Sequence, residues 1–263
     1  MSIVTLTTDF GIKDGFTGVL KGVIWRICPG AQIADITHSI APQNVFEGAM
    51  ALYRAVPFFP TGTIHIAVVD PGVGTTRRPM AASLGGSYFV GPDNGLFTPM
   101  IEEAELKKKE AVFVHLDNPA YWLPDVSHTF HGRDIFAPAA AHLARGVKIS
   151  ELGSAFFDPV RLAMPKPEQT VDGWSAHVTV IDTYGNITTD LKVELLEGKR
   201  DVSFRVCGKT IEGIVNSYGW RGKGELVALV DSEGYIEIAE VNGSASRTLG
   251  TEVGDPVQVI ILK

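Results

Sequence analysis

Short apolar runs of strand length take turns with segments of helical spacing along the first 150 residues, and this alternation limits the fold more than any other feature of the chain. Residues 3–6 are β-branched and lead into Thr8-Asp9-Phe10-Gly11. Residues 16–28 carry Phe16, Val19, Leu20, Val23, Ile24 and Ile27 at helical spacing and stop at Pro29-Gly30. The same reading predicts strands at 33–36, 63–69, 88–90 and 111–116, and helices at 45–55 and 135–145. Strands alternating with helices imply an α/β fold with a mostly parallel sheet covered on both faces. Ligands of such sheets bind beyond the carboxyl ends of the strands, where Asp9 and Asp70 both fall.

Around Phe157 the texture changes. Residues 158–173 hold three prolines and several charges without periodicity, which reads as a linker. From Trp174 onward, strand-like runs at 177–181, 202–206, 226–230, 235–239 and 257–262 are separated by glycine-containing turns. No helix longer than ten residues is expected there. The expected organisation is an N-terminal α/β sandwich domain (1–157), a linker (158–173) and a smaller C-terminal antiparallel β-barrel domain (174–263).

Composition removes several function classes. With 23 basic against 30 acidic residues the formal charge is −7, which argues against general affinity for nucleic-acid backbones. Cys28 and Cys207 are the two cysteines, far apart and in no CxxC motif. That disfavours zinc fingers, iron–sulfur sites and disulfide scaffolds, and fits a reducing compartment. The apolar runs fall short of the roughly 20 residues a membrane helix needs. The N-terminus reads as a strand and shows no basic region ahead of an apolar run. A cytoplasmic protein without membrane or nucleic-acid partners is expected.

Four constellations carry possible chemistry. Asp70-Pro-Gly-Val-Gly-Thr-Thr-Arg77 lacks the Gly-Lys-Ser/Thr ending of a phosphate loop, and its leading carboxylate would repel phosphate. It reads either as a glycine turn capped by Asp70 or as a carboxylate held ionised and oriented by Arg77. His128-Thr-Phe-His131-Gly-Arg-Asp134 sets two histidines three apart, but no clear third ligand completes a metal site. His131 there faces the same crevice as Asp70 or is structural, and Asp134 reads as the N-terminal cap of the 135–145 helix. Asp182-Thr-Tyr184-Gly-Asn186 is either an Asx-type turn or a nucleobase clamp, with an aromatic face for stacking and an amide for a purine edge. Asn216-Ser-Tyr218-Gly-Trp220 repeats that mix of aromatic and amide. The letters Asp9-Phe-Gly and His131-Gly-Arg-Asp share nothing with kinase signatures beyond chance, since their order is reversed.

Taken in order, Thr-Asp9-Phe-Gly, Val-Asp70-Pro-Gly-Val-Gly-Thr-Thr-Arg77, Gly-Pro-Asp93-Asn94-Gly, Thr-Phe-His131-Gly-Arg-Asp-Ile-Phe-Ala-Pro, Asp182-x-Tyr-Gly-Asn186 and Ser232-x-Gly-Tyr-Ile-Glu237-Ile-Ala run along nearly the whole chain. This series resembles the S-adenosyl-L-methionine (SAM) hydrolases, or hydroxide adenosyltransferases, relatives of the fluorinases and chlorinases. The resemblance implies hydrolysis of SAM to adenosine and methionine with no cofactor, SAM itself being the substrate. It implies a homotrimer whose substrate lies between the N-terminal domain of one subunit and the C-terminal domain of the next. Carried onto this chain, Asp70, Arg77 and His131 form the water-activating set and Asp9 holds the ribose diol. Asp182 meets the methionine ammonium, while Asn186 and the backbone near Asn242 meet adenine. Tyr184 and Tyr218 stack on the base, and Ser232 and Glu237 line the pocket.

Two departures separate the chain from the halogenating relatives. These keep aromatic residues where this chain has Asp70 and His131, and Ser-Arg where it has Ser232-Glu233. The partner of the methionine carboxylate is therefore unassigned. Two alternatives stand beside hydrolysis: a halide-dependent adenosyltransferase, and a non-catalytic binder of adenosine or SAM.

Overall fold

The computed structural model describes residues 2–199 and 201–261. Leu262, the last residue of the predicted 257–262 strand, lies outside the described residues. The chain divides into two compact units, one ending at Ala163 and the other beginning at Met164.

The first unit runs β1 (Ile3–Thr8), α1 (Phe16–Ile27), β2 (Gln32–Thr37), α2 (Val45–Ala55), β3 (Ile64–Val68), β4 (Pro79–Leu84), β5 (Ser87–Pro92), α3 (Thr98–Leu106), β6 (Ala111–His115), α4 (Ala137–Ala144) and β7 (Ser154–Phe156). The strands form one sheet in the order β2-β1-β3-β5-β4-β6-β7. β2, β1, β3 and β5 pair in parallel, whereas β4, β6 and β7 join antiparallel. The antiparallel half grows from β4, which sequence patterning had not revealed. Gly85 and Gly86, at φ 59° and 95°, turn β4 straight back into β5, a turn that favours residues free to take positive φ.

Both faces of the sheet are covered, and β3 shows how. Ile64, Ile66 and Val68 pack with Leu20 and Ile24 of α1 and Ala137 and Ala141 of α4. Ala67 and Val69 face the opposite layer, with Ala49 and Leu52 of α2 and Met100 and Ile101 of α3. Burying each of the larger side chains contributes about 1.5–3 kcal/mol. α2 begins where Asn44 accepts a hydrogen bond from the Glu47 amide at 3.0 Å, a side-chain cap for an otherwise unpaired donor. Because β1 and β3 are parallel neighbours, their carboxyl ends place Asp9 and Asp70 on the same edge of the sheet.

Residues 158–162, read as linker, are anchored on this unit. The Val160 amide donates to Asp93 at 2.8 Å and the Leu162 amide to Thr98 at 2.9 Å. Arg161 grips Glu105 through two bonds of 2.9 and 2.6 Å.

The second unit comprises β8 (Glu168–Gln169), β9 (Gly173–Ile181), β10 (Ile187–Lys192), β11 (Val202–Val206), β12 (Lys209–Glu212), β13 (Leu226–Val230), β14 (Tyr235–Glu240), α5 (Ala245–Leu249) and β15 (Pro256–Ile261). Its strands pair antiparallel in the order β12-β11-β15-β9-β10-β14-β13, with β8 on the side of β9. The chain just past β12 returns to β13, where the Val215 amide donates to the Ala228 carbonyl at 2.8 Å, so the barrel nearly closes. Val178, Ile187, Phe204, Ile236, Ile238, Val257 and Val259 fill its interior. Their alternation along each strand is the period of two that a one-sided sheet requires.

Candidate active site

A cluster of charged side chains lies past the carboxyl end of β3. There the chain enters tight turns, with the Val73 amide on the Asp70 carbonyl at 3.2 Å and Thr75 on Gly72 at 3.2 Å. These turns bring Arg77 back onto Asp70. Its Nε donates to Asp70 Oδ1 at 3.0 Å, and its Nη2 donates to Oδ2. This is a two-pronged pairing that fixes both groups in one plane. Nη2 also donates to His131 Nδ1 at 3.2 Å. The two side chains of the pair are only 7% (Arg77) and 5% (Asp70) exposed, and the guanidinium lies over the Phe136 ring at 5.4 Å.

Burial sets the electrostatics. It pushes the Asp70 carboxyl above its ordinary range, and the Arg77 charge and hydrogen bonds only partly offset the rise. For His131, burial and then the neighbouring Arg77 charge lower the ring's affinity for a proton. Two expectations for the 70–77 loop thus hold together in geometry, since Asp70 begins a glycine turn and is also fastened to Arg77; the expected hold on its ionised form is only partial, because burial outweighs the guanidinium. The imidazole joins them from a segment 54 residues further along.

Gly74 is what lets the two segments meet. Its φ is 75°, and a Cβ there would lie 2.2 Å from the His128 carbonyl oxygen. No side chain fits that approach. The sequence showed the glycine but not the carbonyl it faces.

The reading of Asp134 as a helix cap is corrected. Residues Gly132–Phe136 form a π-helical turn, and α4 starts only at Ala137 without a side-chain cap. The Asp134 carboxylate is fully buried and looks backward instead. It accepts from the Ser127 amide at 2.9 Å, the Ser127 hydroxyl at 2.7 Å and Arg133 at 2.6 and 3.1 Å. Wide turns of this type appear frequently at functional sites.

Asp9 is held just past β1, its Oδ2 accepting from the Gln43 amide at 2.8 Å. Gln43 sits at φ 67° to present that amide. Neither Gln43 nor Ser127 announced itself in the sequence: Gln43 acts through its backbone amide, and the Ser127 amide and hydroxyl meet an acid that only the fold brings to them.

In the second unit the remaining expected residues fall into two groups. Asp182 and Asn186 face each other across the β9–β10 turn. Asp182 accepts from the Tyr184 amide at 2.9 Å, the Asn186 amide at 2.8 Å and Asn186 Nδ2 at 3.0 Å. The Asx-type turn is therefore formed, and it leaves Tyr184 78% exposed. The turn packs on the segment after β14, with the Ser246 amide on the Gly185 carbonyl at 2.9 Å. Asn242, at φ 53°, lies in that segment. Together the two turns line a hollow of about 350 Å³ with Asp182, Tyr184, Gly243, Ser244 and Arg247 on its walls.

The second group joins β14 to the 218–220 turn. The Tyr218 hydroxyl donates to Glu237 at 2.7 Å. Glu237 is only 6% exposed; burial and its carboxylate together push the Tyr218 hydroxyl's pKa upward. Ser232 sits exposed in the β13–β14 hairpin, whose shape Asp231 fixes by accepting from the Glu233 and Tyr235 amides at 2.9 Å each. Among the described residues, no three His, Cys, Asp or Glu side chains gather as a metal site would need. No helix among them is long and apolar enough to cross a membrane.

Chains that match this α/β unit and this small β-barrel are known. The chain belongs to the SAM hydroxide adenosyltransferase family: residues 4–153 match its N-terminal domain and residues 176–258 its C-terminal domain. A relative from Salinispora tropica named (R)-S-adenosyl-L-methionine hydrolase is 40% identical, over 97% of each chain. A fluorinase from Actinoplanes sp. is more distant, at 32% identity over 90% of each chain. A solved structure of a conserved Thermotoga maritima protein matches with a TM-score of 0.90 and 38% identity, covering 98% of this chain and 99% of that one.

Proposed function

We propose that this protein is an enzyme that hydrolyses S-adenosyl-L-methionine to adenosine and L-methionine. Water attacks ribose C5′ in line with the departing sulfur. The C5′–S bond breaks as the C5′–O bond forms; methionine leaves as a neutral thioether and one proton is released. A sulfonium needs no acid to leave, so the protein's task is to position and activate water. The related hydrolases are named for the (R) sulfonium, and that epimer is the substrate proposed here.

The observation that carries the reading is the buried Asp70–Arg77 pair joined to the half-buried His131. A guanidinium has donors only, so His131 Nδ1 accepts from Arg77 and the neutral ring carries its proton on Nε2. That leaves the ring no lone pair for the proton of water. Asp70 is the base, its proton affinity lifted by burial toward what proton abstraction requires. Arg77 Nη1, buried with no protein partner among the described residues, is the donor left to stabilise hydroxide-like charge. The Asp70 carboxylate also selects against halide. Two like charges 4 Å apart repel by about 4 kcal/mol at an effective dielectric near 20.

In this proposal Asp9 binds the ribose diol, Asp182 the methionine ammonium and Asn186 the adenine edge, with Tyr184 and Tyr218 as stacking faces and Ser232 and Glu237 lining the pocket. No cofactor takes part. The assembly proposed with it is a cytoplasmic homotrimer whose sites draw on two subunits. Purified protein incubated with the (R) epimer of SAM in heavy-oxygen water should yield adenosine carrying one heavy oxygen. Unlabelled adenosine, or none, would refute hydrolysis at C5′.

A further inference from the structure

We propose that Asp134 is a positioning residue that fixes the His131 imidazole by locking the 127–134 loop into a closed ring. The idea rests on the proposed role of His131 and extends it to a group that touches no substrate.

The ring is made of side chain and backbone together. Asp134 takes both the amide and the hydroxyl of Ser127, at 2.9 and 2.7 Å. The Ser127 hydroxyl in turn accepts from the Phe130 amide at 3.1 Å, and the Asp134 amide returns to the Phe130 carbonyl at 3.1 Å. Arg133 closes the outer side, bonded to Asp134 and lying over the Phe130 ring at 5.2 Å. Phe130 itself is wedged between Phe10 and Phe16, with ring centroids 5.7 and 5.4 Å away. His131 lies within the segment that this ring closes.

A fully buried carboxylate is costly unless its hydrogen bonds are satisfied, and four short donors satisfy this one. The arrangement serves two parts of the site at once. It sets the His131 ring against Arg77, and it holds the His128 carbonyl where Gly74 of the 70–77 loop meets it. The Ser127 backbone and the Asp134 charge also act directly on the His131 ring, both favouring its protonated form.

The test uses Asp134→Asn, Ser127→Ala and Ser127→Thr in the full chain, reading kcat, KM for SAM, and the His131 ring nitrogen shifts by NMR without substrate. Ser127→Ala should lower kcat about tenfold to a hundredfold, the loss expected from slight misplacement. KM should stay within about twofold, and the ring signals should change from one tautomer to an average of two. Ser127→Thr, which keeps the hydroxyl, should restore both. Should Asp134→Asn fail to fold, the Ser127 pair decides alone. Folded Ser127→Ala protein with wild-type kcat and an unchanged ring signature would overturn the proposal. Wild-type protein that releases no adenosine would instead refute the hydrolase reading, and the ring signature would still decide the positioning role.

Discussion

Two loops of this molecule begin alike and end differently. Asp70 and Asp182 each follow an apolar strand and each open a turn containing glycine, yet they spend their oxygens on different partners. Asp182 gives its carboxylate to the Tyr184 and Asn186 amides and the Asn186 side chain, all within four residues. Asp70 gives both oxygens to a guanidinium seven residues on, buried with it and joined to an imidazole 54 residues from that arginine. The first is what an aspartate does to shape a turn. The second desolvates an acid and a base together, and a turn needs neither. The difference separates a carboxylate whose bonds stay within its own turn from one whose bonds tie together segments distant in the chain.

The sharpest way to break this comparison is Asp70→Asn. It keeps the size of the side chain and removes its basicity, so kcat should fall about a hundredfold to ten-thousandfold. Adenosine affinity by calorimetry should stay within about twofold. A variant that kept its rate and lost affinity would reverse the roles of the two loops. Gly74→Ala attacks the same loop through the backbone. It forces a Cβ onto the His128 carbonyl at a φ of 75°, which should cost about 1–3 kcal/mol in chemical denaturation and about a hundredfold in kcat. Normal turnover would show that the contact between the two segments is dispensable.

Arg77→Gln sharpens the comparison by its sign. In the proposed mechanism water is activated by Asp70 as carboxylate, so kcat/KM is expected to fall as pH drops through its pKa. Arg77 is the main influence holding that pKa down against burial. Without the guanidinium, the acid limb of the kcat/KM profile should move to higher pH. A limb that stayed in place would assign it to some other group.

Much of this was legible in the chain. The helical spacing of residues 16–28 and 45–55 matched α1 and α2 almost to the residue, because their apolar faces cover one sheet and little else competes. β4 was missed because Pro79-Met-Ala-Ala-Ser-Leu84 carries no β-branched residue; its neighbours β5 and β6 make it a strand. Asp134 was misread for a related reason. An acid shortly before a helical run is ordinarily a cap, and only the π-turn, which no local pattern encodes, sends it back to Ser127. Asp70, Arg77 and His131 could be picked out by residue type, but the 3.2 Å contact between Arg77 and His131 is a product of tertiary packing.

The smallest expected effect probes the other loop. Tyr184 is 78% exposed on a turn that Asp182 and Asn186 already stabilise without its ring. Its removal should therefore leave the barrel intact, since substitutions at exposed sites ordinarily change stability by no more than about 0.5 kcal/mol. A ring that stacks on a base contributes about 1–3 kcal/mol to binding. Tyr184→Ala should accordingly weaken adenosine binding about tenfold while the melting temperature holds. Asn186→Ala, by contrast, removes a bond that the turn uses, so it should lower stability and affinity together. If Tyr184→Ala instead lowered the melting temperature and left affinity alone, this turn would be a structural element from end to end, and the contrast with the Asp70 loop would become absolute.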